Sequence, residues 1–335
     1  GRTLLARRER LQAKEQGRAP RTLREIDYLL ELSDFTRQGA LRFKREESGP
    51  FLAEGGERVP PFIELGRLLE AAERATKEEE TEEDLWLLLA PGSSLLGSRP
   101  KASVRSRSGG LLIAKFNRLD DDRDVGVWEG VAMKLAGMAG LNVASWAVER
   151  VLGRTVLLLD RFDRHGETRI PFLSAMSMLE AVDGQPRSYL EVADAIRMHG
   201  ASATEDLREL WRRVVFTVLI SNTDDHLRNH GFLYVGEQGW RLSPAYDLNP
   251  VPIDLGPRVL STAIAEGSDR SASMDLAFLV ADHFGLKEDE ARAIADEVAG
   301  AVGKWRSVGR DLGASEGECD RMASAFEHED LASLT

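Results

Sequence analysis

Apolar residues recur at helical spacing through Leu23, Ile26, Leu29 and Leu30, which predicts a helix over Thr22–Leu32. A second is expected over Phe62–Ala72 after Pro60-Pro61, with the charge run Lys77–Glu83 continuing or capping it as a solvated face. The period then changes. Lys101–Arg105 and Leu111–Phe116 flank Ser108-Gly-Gly110 and read as a β-hairpin, preceded by a loop at Pro91–Pro100 rich in Gly, Ser and Pro. Trp128–Met138 returns to helical spacing, with Ala132, Leu135 and Ala136 inward and Gly140 as its stop. Val143–Val151 and Thr155–Leu159 read as strands joined at Gly153. Beyond Phe172 helices dominate, at about Tyr189–Met198, Ala203–Ile220, Met274–His283, Glu288–Val302 and Cys319–Glu327, interrupted by strands at Phe232–Val235 and Trp240–Leu242.

This order predicts an α+β, bilobal, protein-kinase-like fold with a β-rich N-lobe over residues 1–160, a helical C-lobe over 161–335, and nucleotide between them. No internal repeat or low-complexity segment interrupts it.

With 335 residues, 42% hydrophobic and 30% charged, the chain has the composition of a globular protein large enough for two lobes. No apolar run approaches the roughly 18 residues of a membrane span, and no signal-peptide pattern opens the chain. It begins on Gly rather than Met, as a chain trimmed at its N-terminus would. The single Cys319 excludes an internal disulfide and suits a reducing cytoplasm. A net charge of −12 argues against a broad nucleic-acid surface. Basic residues do gather at Gly1–Arg24, read as a solvated face, and at Arg99–Arg107, where nucleotide phosphates could sit.

The chemistry concentrates in Ser221–His230 and Tyr246-Asp247. Asp224 and Asn229 are separated by the interval that kinase catalytic loops use between base and Mg²⁺ ligand. The same interval from Asp225 lands on His230, a poor ligand for a hard cation, so Asp224 is the expected base and Asp225 a loop former. Asp247 follows a short hairpin, where kinases place their principal metal carboxylate. Each of these three residue types also serves as an ordinary turn or cap former, and only their joint spacing around a hairpin favours a site.

Lys115 ends the strand Leu-Leu-Ile-Ala-Lys and is the candidate for the ATP phosphates, with Glu129 on the next helix as its supporting carboxylate. The loop Gly92–Ser98 nearly matches a Walker A pattern but has Ser98 where the lysine belongs, which disfavours a P-loop NTPase. It can still cover phosphates through backbone N–H groups, with Arg99 and Lys101 adding charge. His226 and His230 have an i, i+4 spacing but no third zinc ligand nearby, so His226 is read as a loop-stabilising or nucleotide-facing residue.

At Asn222-Thr-Asp-Asp-His-Leu-Arg-Asn-His230, Leu242-Ser-Pro-Ala-Tyr-Asp-Leu-Asn-Pro250, Asp160-Arg-Phe-Asp-Arg164 and Ser33-Asp-Phe-Thr-Arg-Gln-Gly-Ala-Leu-Arg42, the chain resembles the HipA-like kinases, toxins of bacterial toxin–antitoxin modules. The resemblance runs from about Leu32 to Ala325 and implies a Mg²⁺- and ATP-dependent Ser/Thr protein kinase with a fold distantly related to phosphoinositide kinases. It implies Asp224 as catalytic aspartate, Asn229 and Asp247 as metal ligands, and Lys115 as the ATP lysine. Gly97, Ser98, Arg99 and Lys101 match the phosphate loop, Asp160, Arg161 and Phe162 the adenine hinge, and His226 a nucleotide contact. It further implies autophosphorylation of that loop, by register at Ser94, which would repel ATP phosphates. The implied substrate class is an aminoacyl-tRNA synthetase. The implied partner is a helix-turn-helix antitoxin (HipB-like) through which the kinase meets DNA indirectly. Departures from the pattern are Asp160 where Glu is common, Gly-Ser-Arg-Pro-Lys for the usual Gly-Ala-Gln-x-Lys, and a shortened N-terminal β-rich region.

Two alternatives carry distinct signatures. Aminoglycoside-type small-molecule kinases share an Asp-x4-Asn pair and a later Asp but write His-Gly-Asp where Asn222-Thr-Asp224 stands. A catalytically weak co-repressor subunit would act by binding an antitoxin–DNA complex; the intact Asp224, Asn229, Asp247 and Lys115 argue against a pseudokinase but not against an additional repressor role.

Overall fold

A computed structural model describes residues 2–31, 33–53, 59–89, 99–267 and 269–334. Where the sequence reading cuts the chain once, at 160, the described residues group into one unit of 1–122 with 146–169 and a second of 123–145 with 170–335.

The first unit is built on a four-stranded antiparallel sheet of order β1-β2-β4-β3, formed by β1 (Lys101–Arg105), β2 (Leu111–Phe116), β3 (Trp146–Val151) and β4 (Arg154–Asp160). Strand alternation puts Ala102, Val104, Ala114, Phe116, Val156 and Leu158 on one face, where they form a single buried cluster with Leu65, Leu68, Leu69, Ala71 and Ala72 of α3 (Leu65–Thr76). The expected helix at 62–72 is thus a 3₁₀ turn, Phe62–Glu64, followed by α3. Of the Lys77–Glu83 run, Lys77 caps α3 and Glu78, Glu79 and Glu83 are exposed as expected, but the helix does not continue. The chain turns through Glu78 at φ +61° and enters α4 (Glu82–Leu89), and Glu80 and Asp84 fold back onto Arg7 and Arg74 instead of facing water.

In the basic N-terminal segment Arg2, Arg10, Lys14, Arg18, Arg21 and Arg24 are exposed, as expected of a solvated face, but one side of the segment is buried. It forms α1 (Arg2–Glu15), with Leu5, Glu9 and Ala13 buried at i, i+4, i+8. Its arginines engage acids of later segments: Arg2 with Glu25, Arg8 with Glu31, and Arg7 with Glu78 and Glu80. The expected helix over 22–32 contracts to α2 (Glu25–Leu30). Beyond β4 lies a two-residue hairpin, β5 (Arg164–His165) with β6 (Thr168–Arg169).

The second unit is mainly helical. It contains α5 (Val125–Met138), α6 (Ala175–Met178), α7 (Tyr189–His199), α8 (Ala203–Leu219), α9 (Met274–Leu279), α10 (Glu288–Val302), α11 (Trp305–Asp311), α12 (Glu316–Phe326) and α13 (Glu329–Ala332). Trp128 of α5, Trp305 of α11 and Phe326 of α12 form an aromatic cluster, the last two stacked 4.6 Å apart. α8 carries Leu210, Trp211, Val214, Val215, Phe216, Val218 and Leu219 into the core, each side chain contributing about 1.5–3 kcal/mol on burial. A three-stranded antiparallel sheet of order β7-β8-β9 is formed by β7 (Phe172–Ser174), β8 (Gly231–Tyr234) and β9 (Trp240–Leu242). Asp206 near the start of α8 accepts from Leu242 N–H at 2.9 Å and from Arg241, tying β9 to that helix. The segment carrying the candidate catalytic residues therefore runs from the buried end of α8 into a sheet anchored on its other end. Among the described residues, no helix is long and apolar enough to cross a membrane.

Candidate functional site

The loop after α8 opens with Ser221, buried and at φ +52°, whose hydroxyl receives the Arg258 Nε at 3.1 Å. The two adjacent acids then part company. Asp225 is buried, and its Oδ2 accepts from the Tyr189 hydroxyl at 2.5 Å, the Thr217 hydroxyl at 3.2 Å and the His230 Nε2 at 3.1 Å. Burial by itself would raise its pKa. The neighbouring His230 charge and bond, with the two hydroxyls, outweigh that and hold the carboxyl below its ordinary value. The Tyr189 phenol is pushed far up by burial and by the Asp225 charge, so it remains a donor. The ring of His230 also packs edge-on against Tyr189 at 5.5 Å, which commits it to this network rather than to a zinc ion.

Asp224, next in the chain, is exposed. Its carbonyl receives the His226 N–H at 2.8 Å and the Asn229 Nδ2 at 3.2 Å. Asn229 is buried, and with its NH₂ so engaged the amide's oxygen is the atom left for a cation.

Asp247 adopts φ +60°, a left-handed conformation that Asp tolerates better than most side chains. Both sides of it are tied to the loop. The Tyr246 hydroxyl donates to the carbonyl of Arg228 at 2.6 Å, and Asn249 N–H donates to the Asn222 Oδ1 at 3.3 Å. Removal of the Tyr246 hydroxyl from water, reinforced by Asp247, raises its pKa and keeps it protonated. Asn222, Asn249 and Tyr246 are positioning residues that the sequence reading missed. Their signal was present in the polar flanks of both motifs but was indistinguishable there from turn chemistry.

In the first unit, Lys101 of β1 stands directly opposite Lys115 of β2. Arg99 is paired with Asp121, and Arg105 and Arg107 lie over the rings of Phe35 and Phe62 at 4.7 and 5.1 Å. At the end of β4, Asp160 is exposed and Phe162 half-buried. The Arg161 side chain turns inward, which leaves its backbone for the expected hinge. Its guanidinium is buried on Asp163 through two 2.6 Å bonds and on the Thr36 carbonyl at 2.9 Å, so only its backbone remains for a nucleotide. Asp163 also takes Arg164 and the Gly39 N–H, clamping the 33–42 motif onto this segment. Glu129 is buried on α5 and belongs to the second unit, Lys115 to the first. Gly97, Ser98 and Ser94 lie outside the described residues.

His226 lines a cavity with Met176, residues 182–187, Leu227, Arg228, Ser261, Thr262 and Arg270 of the second unit. Among the described residues, no cluster of three or more His, Cys, Asp and Glu could hold a metal. That is compatible with a kinase-type Mg²⁺ site, which uses one or two protein oxygens and completes its shell with phosphates and water. A buried Asn229 amide fixed through its nitrogen and an Asp247 held at both flanks suit that requirement.

Known proteins share parts of this sequence and its fold. "Putative kinase Y4mE" of Sinorhizobium fredii is 29% identical over 132 residues, 36% of this chain but only 31% of that protein. A "Putative kinase" of Haemophilus influenzae is 29% identical over 94 residues, 27% of each. The chain thus matches about a third or less of the length of these curated relatives. Among solved structures, HipA in the Shewanella oneidensis HipA, HipB and operator DNA complex superposes with a TM-score of 0.57 at 18% identity, covering 72% of this chain and 63% of that one. The Helicobacter pylori proinflammatory kinase CtkA gives 0.53 at 16% identity, covering 70% and 88%. The fold is the α+β fold of these two proteins. The HipA-like C-terminal domain model matches residues 93–305, and the chain belongs to that family.

Proposed function

We propose that this protein is a Mg²⁺- and ATP-dependent Ser/Thr protein kinase, the toxin of a HipBA-like toxin–antitoxin module. The observation that carries the reading is the division between two neighbouring acids. Asp225 is buried with three donors on its Oδ2, while Asp224 is exposed with Asn229 bonded to its backbone. Asp224 accepts or positions the proton of the substrate hydroxyl. Asn229 and Asp247 are the Mg²⁺ ligands, and Lys101 and Lys115 hold nucleotide phosphates, with Glu129 supporting Lys115. Mg²⁺ bound there would neutralise charge that develops on the transferring phosphoryl group. The backbone of Asp160–Phe162 is the adenine hinge, with Arg99, Gly97 and Ser98 at the phosphates. Ser94 is the proposed autophosphorylation site, where a phosphate would repel ATP.

The structural neighbour from Shewanella oneidensis is seen with HipB and operator DNA. A helix-turn-helix antitoxin is therefore the proposed partner here, and the net charge of −12 suits leaving direct DNA contact to that partner. An aminoacyl-tRNA synthetase is the proposed substrate class. Phosphoproteomics of cells expressing the wild type against Asp224→Asn tests the reading: a new Ser or Thr phosphosite on a synthetase, dependent on Asp224, supports it. Identical phosphoproteomes would refute it. Phosphopeptide mapping of the purified protein after incubation with Mg-ATP tests Ser94 separately, and phosphate found only at other residues would remove that assignment.

A further inference from the structure

A cavity of about 280 Å³ opens beside the candidate catalytic loop, wholly within the second unit. Its wall at Ser261 and Thr262 is bonded to the two residues that bracket Asp224. The Ser261 hydroxyl donates to the Thr223 carbonyl at 3.1 Å, and the Thr262 hydroxyl to the Asp225 carbonyl at 2.7 Å. The cavity therefore keeps a fixed register to Asp224. Its charged lining is Arg187, Arg228 and Arg270 against Asp183.

These arginines are unequally occupied. Arg228 already carries the carboxylate of Asp183 at 2.5 Å, a side chain that is itself 74% exposed. Arg187 bonds Glu191 and Gln185 through its terminal nitrogens, while its buried Nε has no hydrogen-bond partner. Arg270 is exposed and, among the described residues, makes no side-chain hydrogen bond or ion pair. One wall thus holds a carboxylate, and the rest of the lining retains unspent donors and an uncompensated positive charge. The volume lies just below the usual range for small-molecule sites, about 300–1,000 Å³, so it suits one side chain and its water rather than a whole metabolite.

We infer that this cavity takes an anionic side chain of the polypeptide being phosphorylated, so that the enzyme prefers acceptor hydroxyls with a nearby acidic residue. The inference deepens the kinase reading and rests on it. Asp224 and His226, which lines the cavity, are two positions apart, no more than about 7 Å of chain. An extended peptide advances about 3.3 Å per residue, which puts the anionic residue about two to four positions from the acceptor. Arg270 and Arg187 would bind it by charge-assisted hydrogen bonds.

The test uses fluorescent Ser-containing peptides with Ala, Asp, phosphoserine or Lys at each flanking position. Binding is read by anisotropy and phosphate transfer from Mg-ATP in parallel, with wild type, Arg270→Glu and Arg187→Gln proteins whose folding is checked by thermal unfolding. Peptides with an anion within about four positions of the acceptor should bind about tenfold tighter than the Ala series, a difference of about 1.4 kcal/mol. Arg270→Glu should erase that preference and favour the Lys series. Selection of phosphoserine over Asp would identify the anion as phosphate, and equal selection as either. No anion preference, or a preference untouched by both substitutions, would overturn the inference. Anion-selective binding without transfer to any peptide would instead count against the kinase reading and leave the cavity assignment standing.

Discussion

Replacing Asp225 and Asp224 one at a time should produce opposite phenotypes. Asp225 serves three buried donors, from Tyr189, Thr217 and His230, within 2.5–3.2 Å. Asp225→Ala strands all of them, and removing one partner of a buried charged network costs about 3–5 kcal/mol. At about 2–4 °C per kcal/mol for a unit of this size, the corresponding transition should fall by roughly 6–20 °C. Asp224 is exposed, and the bonds it receives go to its carbonyl, which alanine keeps. Asp224→Ala should therefore alter stability by no more than about 0.5 kcal/mol. Differential scanning calorimetry of the two variants is the assay. An Asp225→Ala protein that melts with the wild type, or an Asp224→Ala protein that melts as low as expected for Asp225→Ala, would refute the reasoning. The same network predicts a pH response. Because the folded state holds the Asp225 carboxyl below its ordinary value, its contribution is fully present above the unfolded carboxyl's pKa of about 3.9 and fades as pH falls through the lower native value. The stability gap between wild type and Asp225→Asn should accordingly shrink below about pH 4.

Other expectations follow from single contacts. Lys101→Thr removes one of the two ammonium groups proposed to hold nucleotide phosphates, so the extra stabilisation by Mg-ATP should shrink in a thermal shift, and an unchanged Mg-ATP shift would count against that role. Tyr246→Phe orphans the Arg228 carbonyl and loosens the Asp247 segment; it should cost about 1 kcal/mol and raise the Mg²⁺ concentration needed for half-maximal transfer, whereas an unchanged Mg²⁺ dependence would remove its positioning role. Gly239 sits at φ +107°, and a Cβ there would come within 2.4 Å of the His199 carbonyl oxygen, a backbone atom with little room to yield. Gly239→Ala should lower stability by more than about 2 kcal/mol in urea unfolding.

The strands at 101–105, 111–116 and 240–242 and the helix at 288–302 were legible because each has a clean period of its own. α1 was hidden because its many charged residues mask a face carried by Leu5, Glu9 and Ala13, and it is held by acids far along the chain that no local pattern announces. Sequence spacing distinguished Asp224 from Asp225, and the structure gives them very different exposures. What spacing could not supply was the reason: Tyr189, a residue of a separate helix, reaches in to hold Asp225. The inward turn of the Arg161 side chain onto Asp163 was not legible, because its partners on the 33–42 segment lie far away in sequence. The arginine-lined cavity was invisible for a similar cause, since Arg187, Arg228 and Arg270 meet only after folding.

The central claim is that Asp224 does chemistry while Asp225 holds the loop. Transfer of the γ-phosphate from Mg-ATP to protein by Asp224→Asn, measured beside the wild type with thermal unfolding recorded on the same preparations, tests it most directly. The account predicts a fall of about 10²–10⁴ in rate with an unchanged transition. Transfer within about twofold of wild type by a folded Asp224→Asn protein would contradict it.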